Sequence, residues 1–83
     1  MSKQLILITA PFNCGFCKRA QDELPTLCEN KGWELLEIED EGGDSGFPVD
    51  TYPTLMVRVN EKMVDTITGY PGRGVIEEKL KNH

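Results

Sequence analysis

Long apolar runs are missing from this chain. The stretch Leu5-Ile6-Leu7-Ile8 is only four residues long. A secretory h-region needs about 7–15 apolar residues and a membrane span about 20. Neither segment is expected, which places the chain in the reducing cytoplasm by default. Basic residues are also scarce: Lys and Arg total 9 against 14 Asp and Glu, for a net charge of −5 and a pI near 4.7. A nucleic-acid or anionic-membrane partner needs a basic face, so that balance argues against both. Cysteine is limited to three positions. An odd count of three does not build a structural disulfide framework and suits chemistry better than stapling. Repeats, linkers and low-complexity segments are absent. Eighty-three residues allow one small domain, 1–83, with the 39% apolar content of an ordinary globular chain, expected to be a monomer.

What the chain does have is Cys14-Gly15-Phe16-Cys17. This C-x-x-C follows the apolar run directly and opens a helix-like segment. Its two sulfurs are close enough in the chain to close a small disulfide ring or to share a metal. Cys14 falls at the helix start, where unpaired backbone N–H groups and the helix dipole favour an anion. The thiolate is that anion and is the nucleophilic form. Its pKa falls from about 8.5 to roughly 3.5–7.5 in such places. Cys17, one turn further, is more sheltered and is placed to attack a mixed disulfide formed on Cys14.

The remaining elements follow from periodicity and punctuation. Gln4–Thr9 reads as a strand buried on both faces, since its apolar residues do not alternate. Asn13 is the expected N-cap of a helix from about Gly15 to about Asn30. Phe16, Ala20, Leu24, Leu27 and Cys28 form its buried face. Pro25 cannot donate to the Gln21 carbonyl, which predicts a kink or a break there. Gly32 is suited to a positive φ after the helix. Trp33–Glu39 reads as a second strand, parallel to the first across a βαβ connection. Glu41–Asp50 holds Gly42, Gly43, Gly46 and Pro48 and reads as an acidic solvated loop. Leu55–Val59 and Lys62–Thr68 form an antiparallel hairpin about Asn60-Glu61. Gly69-Tyr70-Pro71-Gly72 is a turn. Arg73–Lys81 is a final helix, with Val75, Ile76 and Leu80 inward and Glu77 paired to Lys81 outward.

These features together resemble the thioredoxin superfamily at glutaredoxin size. Three of them carry the resemblance. Cys14-Gly15-Phe16-Cys17 and the following Lys18-Arg19-Ala20 are similar to the glutaredoxin motif and its continuation. Tyr52-Pro53-Thr54-Leu55 is similar to the cis-proline segment of thioredoxins and protein disulfide isomerases. Gly69 stands where thioredoxins carry a glycine after their last strand. The resemblance implies an α/β thioredoxin fold, β-α-β-β-β-α, with a four-stranded mixed sheet and a shortened second helix region. It implies a dithiol–disulfide oxidoreductase needing no bound cofactor, with Cys14 and Cys17 catalytic and protein disulfides as substrates. It places Tyr52 and a cis Pro53 against the sulfurs. The electron donor it implies is a thioredoxin-reductase-type flavoprotein or glutathione. The chain departs from the thioredoxin pattern at Ile8, where thioredoxins carry a buried aspartate, and at Asn13, where they carry tryptophan. It lacks the double-glycine turn of glutaredoxins, which favours the flavoprotein as donor.

Other readings of the same residues stay open. Cys14, Cys17, Cys28 and His83 could supply four zinc ligands in a binding module without turnover. Cys28 reads as a small apolar core residue beside Leu24 and Leu27. Phe12, Phe16, Tyr52 and Tyr70 are either core or, together with Pro53 and Gly69, an apolar rim that docks a substrate. Lys18 and Arg19 are either a solvated face or a source of positive potential for the Cys14 thiolate.

Overall fold

A computed structural model describes residues 2–10, 14–40 and 51–83. The elements are β1 (Lys3–Thr9), α1 (Gly15–Lys31), β2 (Glu34–Glu39), β3 (Thr54–Val59), β4 (Lys62–Thr68) and α2 (Arg73–Lys81). The four strands form one mixed sheet in the order β2-β1-β3-β4. β1 and β2 run parallel, with Leu5 opposite Leu35 and Ile8 opposite Ile38. β3 lies antiparallel to β1, pairing Ile8 with Thr54, and β4 lies antiparallel to β3, pairing Thr54 with Thr68. The acidic loop read at Glu41–Asp50, and with it the shortened second helix region, lies outside the described residues, as do Phe12 and Asn13.

The doubly buried β1 follows from its unbroken apolar run. Successive side chains leave a strand on opposite faces. Leu5 and Leu7 therefore join one core cluster, and Ile6 and Ile8 another. The first cluster takes in Ala20, Leu24, Leu27 and Cys28 from α1 and Ile76 and Leu80 from α2, so both helices pack on that face. The second gathers Ile6, Ile8 and Met56, with Leu36, Ile38 and Tyr52 against them. Burial of each such Leu or Ile side chain contributes about 1.5–3 kcal/mol.

α1 runs without a break through Pro25. Pro25 is exposed, so the Gln21 carbonyl that it leaves unbonded faces water, while buried Leu24, Leu27 and Cys28 hold the helix on either side. The helix ends in a Schellman motif: Gly32 has φ 74°, its N–H donates to the Glu29 carbonyl at 3.4 Å, and the Trp33 N–H donates to the Cys28 carbonyl at 2.8 Å. Trp33 thus belongs to the cap, and β2 begins one residue later. In α2 the expected inward Val75 is 44% exposed, and only Ile76 and Leu80 reach the core. This nine-residue helix buries a stripe only as wide as an i,i+4 pair. Glu77 pairs with Lys31 of α1 at 3.5 Å, tying the two helices where an internal Lys81 pair was expected. No helix among the described residues is long and apolar enough to cross a membrane.

The β3–β4 hairpin turns on two residues, Asn60 (φ 53°) and Glu61 (φ 68°). Positive φ at both positions is what a type I′ turn requires. Asparagine tolerates that region, whereas a glutamate side chain does not. Glu61→Gly is therefore expected to stabilise the domain by about 1 kcal/mol, read as a rise in the urea midpoint at constant slope; a lowered midpoint would contradict this account of the turn.

Candidate functional site

One end of the sheet collects three of the segments that the sequence singles out. The C-terminal ends of β1, β2 and β4 and the N-terminal end of β3 lie together there, by the pairing of Thr9 with Glu39, Ile8 with Thr54 and Thr54 with Thr68. α1 follows β1 and α2 follows β4, so both helices start at this end. Segments 14–19, 52–54 and 69–73 are thereby brought to one place.

Cys14, not Asn13, is the N-cap of α1. Its backbone is extended (φ −139°, ψ 103°) and its Sγ accepts a hydrogen bond from the Cys17 N–H at 3.2 Å. Sulfur takes the place of the side-chain oxygen usual in that role. Cys14 and Cys17 are joined as a disulfide with Cα atoms 5.2 Å apart. Cys14 is half-buried, while Cys17 is 4% exposed beneath it. Between them Phe16 projects with 61% exposure, outside the core in which its helical spacing had placed it.

The segment 51–54 and the turn after β4 lie at the same end of the sheet, since Thr54 pairs with Ile8 and with Thr68. The Tyr52–Pro53 peptide bond is cis. Pro53 is fully buried, and its carbonyl accepts from the Gly69 N–H at 2.7 Å. Gly69 has φ 78°, a conformation that a side chain would strain. Thr54 Oγ1 donates to the Thr51 carbonyl at 2.5 Å, closing the bend. The Tyr52 ring lies with Ile6, Ile8 and Met56, and its hydroxyl donates to Asp40 Oδ2 at 2.5 Å. Asp40 is completely buried, and its N–H bonds to the Thr9 carbonyl at 2.8 Å. Sequence reasoning missed this residue. An aspartate that ends an acidic strand gives no local sign that a tyrosine twelve positions on will cover it.

Of the two readings open for Tyr70, core or rim, its burial supports core. It is 8% exposed, belongs to the main core, and donates through its hydroxyl to Glu23 Oε1 at 2.5 Å. Burial, then the Glu23 carboxylate, pushes the Tyr70 phenol well above its usual range. The Tyr70 hydroxyl is the main cause that holds the Glu23 carboxyl below its ordinary value of 4.5, with Arg19 adding to it. A depressed carboxyl contributes stability that is present above the unfolded value and is lost as pH falls through the folded one. The stability gap between the native chain and Tyr70→Phe is therefore expected to shrink as pH drops below 4.5, in denaturant melts across the acid range. A gap that is constant with pH would show that the pair is not linked in this way.

Cys28 is 2% exposed, and burial pushes its thiol up to about 11, so it sits protonated in the core at neutral pH. It lies eleven residues beyond Cys17 on one unbroken helix, roughly 16 Å along the axis. His83 Nε2 lies 3.8 Å from Asp65 of β4. The four proposed zinc ligands are therefore not brought together, and no group of three or more His, Cys, Asp or Glu among the described residues could hold a metal ion.

No protein-family model matches the sequence, and no curated protein is significantly similar to it. Solved structures are similar in backbone. Fasciola hepatica thioredoxin superposes with a TM-score of 0.82 at 19% identity, over 99% of this chain and 81% of that one. A thioredoxin variant from Halobacterium salinarum gives 0.85 at 19% identity, over 98% and 74%. A thioredoxin from the thermophile Thermosipho africanus gives 0.80 at 13% identity, over 95% and 91%. Identity this low speaks for architecture alone, and the architecture is plain: the chain has the thioredoxin fold.

Proposed function

We propose that the chain is a dithiol–disulfide oxidoreductase acting on protein disulfides in a reducing cytoplasm. The observation that carries this reading is the asymmetry of the pair: Cys14 caps the helix and takes the Cys17 N–H, while Cys17 lies buried behind it. In the reduced protein that N–H and the positive end of the α1 dipole favour a thiolate on Cys14. The thiolate attacks one substrate sulfur, forming a mixed disulfide and expelling the other substrate sulfur as a thiolate. Cys17, losing its proton, then attacks the Cys14 sulfur. The second substrate thiolate leaves and the Cys14–Cys17 bond forms. Two electrons pass to the substrate, and its two thiolates take up the two protons that the protein's thiols release.

In this reading Phe16, Tyr52, Pro53, Gly69 and Tyr70 serve the substrate in different capacities. Exposed Phe16 offers apolar contact. The backbone of Tyr52 pairs with an extended substrate segment as an added strand would. Gly69 and Tyr70 brace that segment from behind. A flavoprotein reductase of the thioredoxin-reductase type restores the dithiol, ahead of glutathione. Glutathione carries two carboxylates and needs backbone N–H groups aimed at them, and the N–H of Gly69 is already bonded to Pro53.

Two measurements test this reading. The reduced protein mixed with a disulfide-bonded protein should release two substrate thiols for each Cys14–Cys17 bond formed; no release would end the proposal. The oxidised protein should then be re-reduced by such a reductase with its nicotinamide cofactor. Complete reduction by millimolar glutathione with no response to the reductase would reverse the choice of donor.

A further inference from the structure

A helix start is where an acidic side chain is most favourable, by about 0.3–1 kcal/mol each. This chain has 14 acidic residues and puts none of them in the first turn of either helix. Those turns hold Lys18 in α1 and Arg73 in α2, and Arg19 follows in α1. Cations there oppose the local dipole, and departures from a local rule concentrate at functional places. Both helix starts lie at the end of the sheet that carries the disulfide.

These charges are also left available. Among the described residues, neither Lys18 nor Arg73 has a carboxylate within ion-pair distance. Lys18 stands one helical turn from Cys14, its N–H bonded to the Cys14 carbonyl at 3.1 Å, which keeps the base of its side chain near the disulfide. Arg19 is steered by Glu23, which takes its Nε at 3.4 Å, yet its side chain stays 62% exposed. Glu23 is fixed in turn by Tyr70, and the charge of Arg73 reaches both of them. Phe16 lies one turn before Arg19 and is open to solvent. Among the described residues, the acids that end β2, Glu39 and Asp40, lie at the edge of the sheet opposite β4, and Asp40 is buried against Tyr52.

Resting on the oxidoreductase reading, we infer that the face around Cys14–Cys17 selects protein segments that carry acidic side chains beside their disulfide. The segment's carboxylates meet Lys18, Arg19 and Arg73, and an apolar neighbour meets Phe16. A positive pole on a chain of net charge −5 raises the encounter rate with such segments and repels basic ones.

The test uses the full chain, first reduced to the dithiol, and three otherwise identical disulfide-linked peptides flanked by Asp and Glu, by Ser, or by Lys. Second-order rates of peptide reduction are measured. The acidic peptide is expected to react about tenfold faster than the lysine peptide at low salt. That ratio should fall several-fold in about 0.5 M salt, where charges are screened within roughly 4 Å. The double variant Lys18→Glu, Arg73→Glu should invert the order. Because the native chain's own salt dependence already decides the matter, a misfolded variant does not rescue the idea. Equal rates for all three peptides, or a preference for lysine, with the serine peptide still reduced, would overturn the selectivity alone. Failure to reduce any peptide would remove the oxidoreductase reading and this inference with it.

Discussion

Cys14→Ser is expected to bring disulfide reduction down to the uncatalysed background. A serine hydroxyl at the helix start has neither the acidity nor the nucleophilicity of a thiol, so no first attack takes place. Cys17→Ser is expected to fail differently. The Cys14 thiolate still attacks, but nothing resolves the adduct, so the variant accumulates as a mixed disulfide with its substrate. Non-reducing electrophoresis separates the outcomes: a dithiothreitol-sensitive adduct for Cys17→Ser and none for Cys14→Ser. Cys28→Ala serves as the internal control and should keep most of the turnover, because its sulfur is buried and its thiol pushed up to about 11. Alkylation of the reduced protein at neutral pH should label Cys14 first. Labelling of Cys17 ahead of Cys14, or loss of turnover in Cys28→Ala, would refute the assignment of roles.

The second large effect concerns Leu24. It is fully buried in the cluster that joins α1, α2 and the sheet. Leu24→Ala removes its transfer free energy and leaves a cavity, at about 2–5 kcal/mol. Domains as a class have only about 5–15 kcal/mol in hand, and small ones sit low in that range. The thermal midpoint is expected to fall by at least about 10 °C. Because α1 carries the cysteines at its start, the variant should also lose redox activity at temperatures where the native chain keeps it. A midpoint shift of a degree or two would mean that Leu24 does not bridge the layers as described.

The strands and both helices were legible in the sequence because their causes are local. Leu5–Ile8 is apolar on both faces, Gly32 ends a periodic segment, and two polar residues separate two strand-like runs. The cysteines were legible for the same reason, since C-x-x-C after a strand states its own geometry. What escaped depends on neighbours far along the chain. Periodicity put Val75 and Phe16 on apolar faces, but it cannot tell how wide a stripe the opposing surface will cover. Pro25 reads as a breaker until the face on which its missing hydrogen bond lies is known. Tyr70 reads equally as core or rim because its partner, Glu23, is 47 residues away. Asp40 carries no local sign of burial, and only the fold puts it under Tyr52. Asn13 reads as the cap because sulfur is rarely counted among capping acceptors.

The link between Cys14 and Cys17 spans a sequence separation of three, inside a single helical turn. It ties no strand to any other and crosses no layer. Neither cysteine belongs to the core cluster that holds Leu7, Leu24, Leu55 and Ile76. The domain's integrity and its redox state are in this sense separate variables. If the proposed redox cycle holds, the scaffold is expected to stay folded whether the link is open or closed, read as closely matched thermal midpoints of the oxidised and reduced chain.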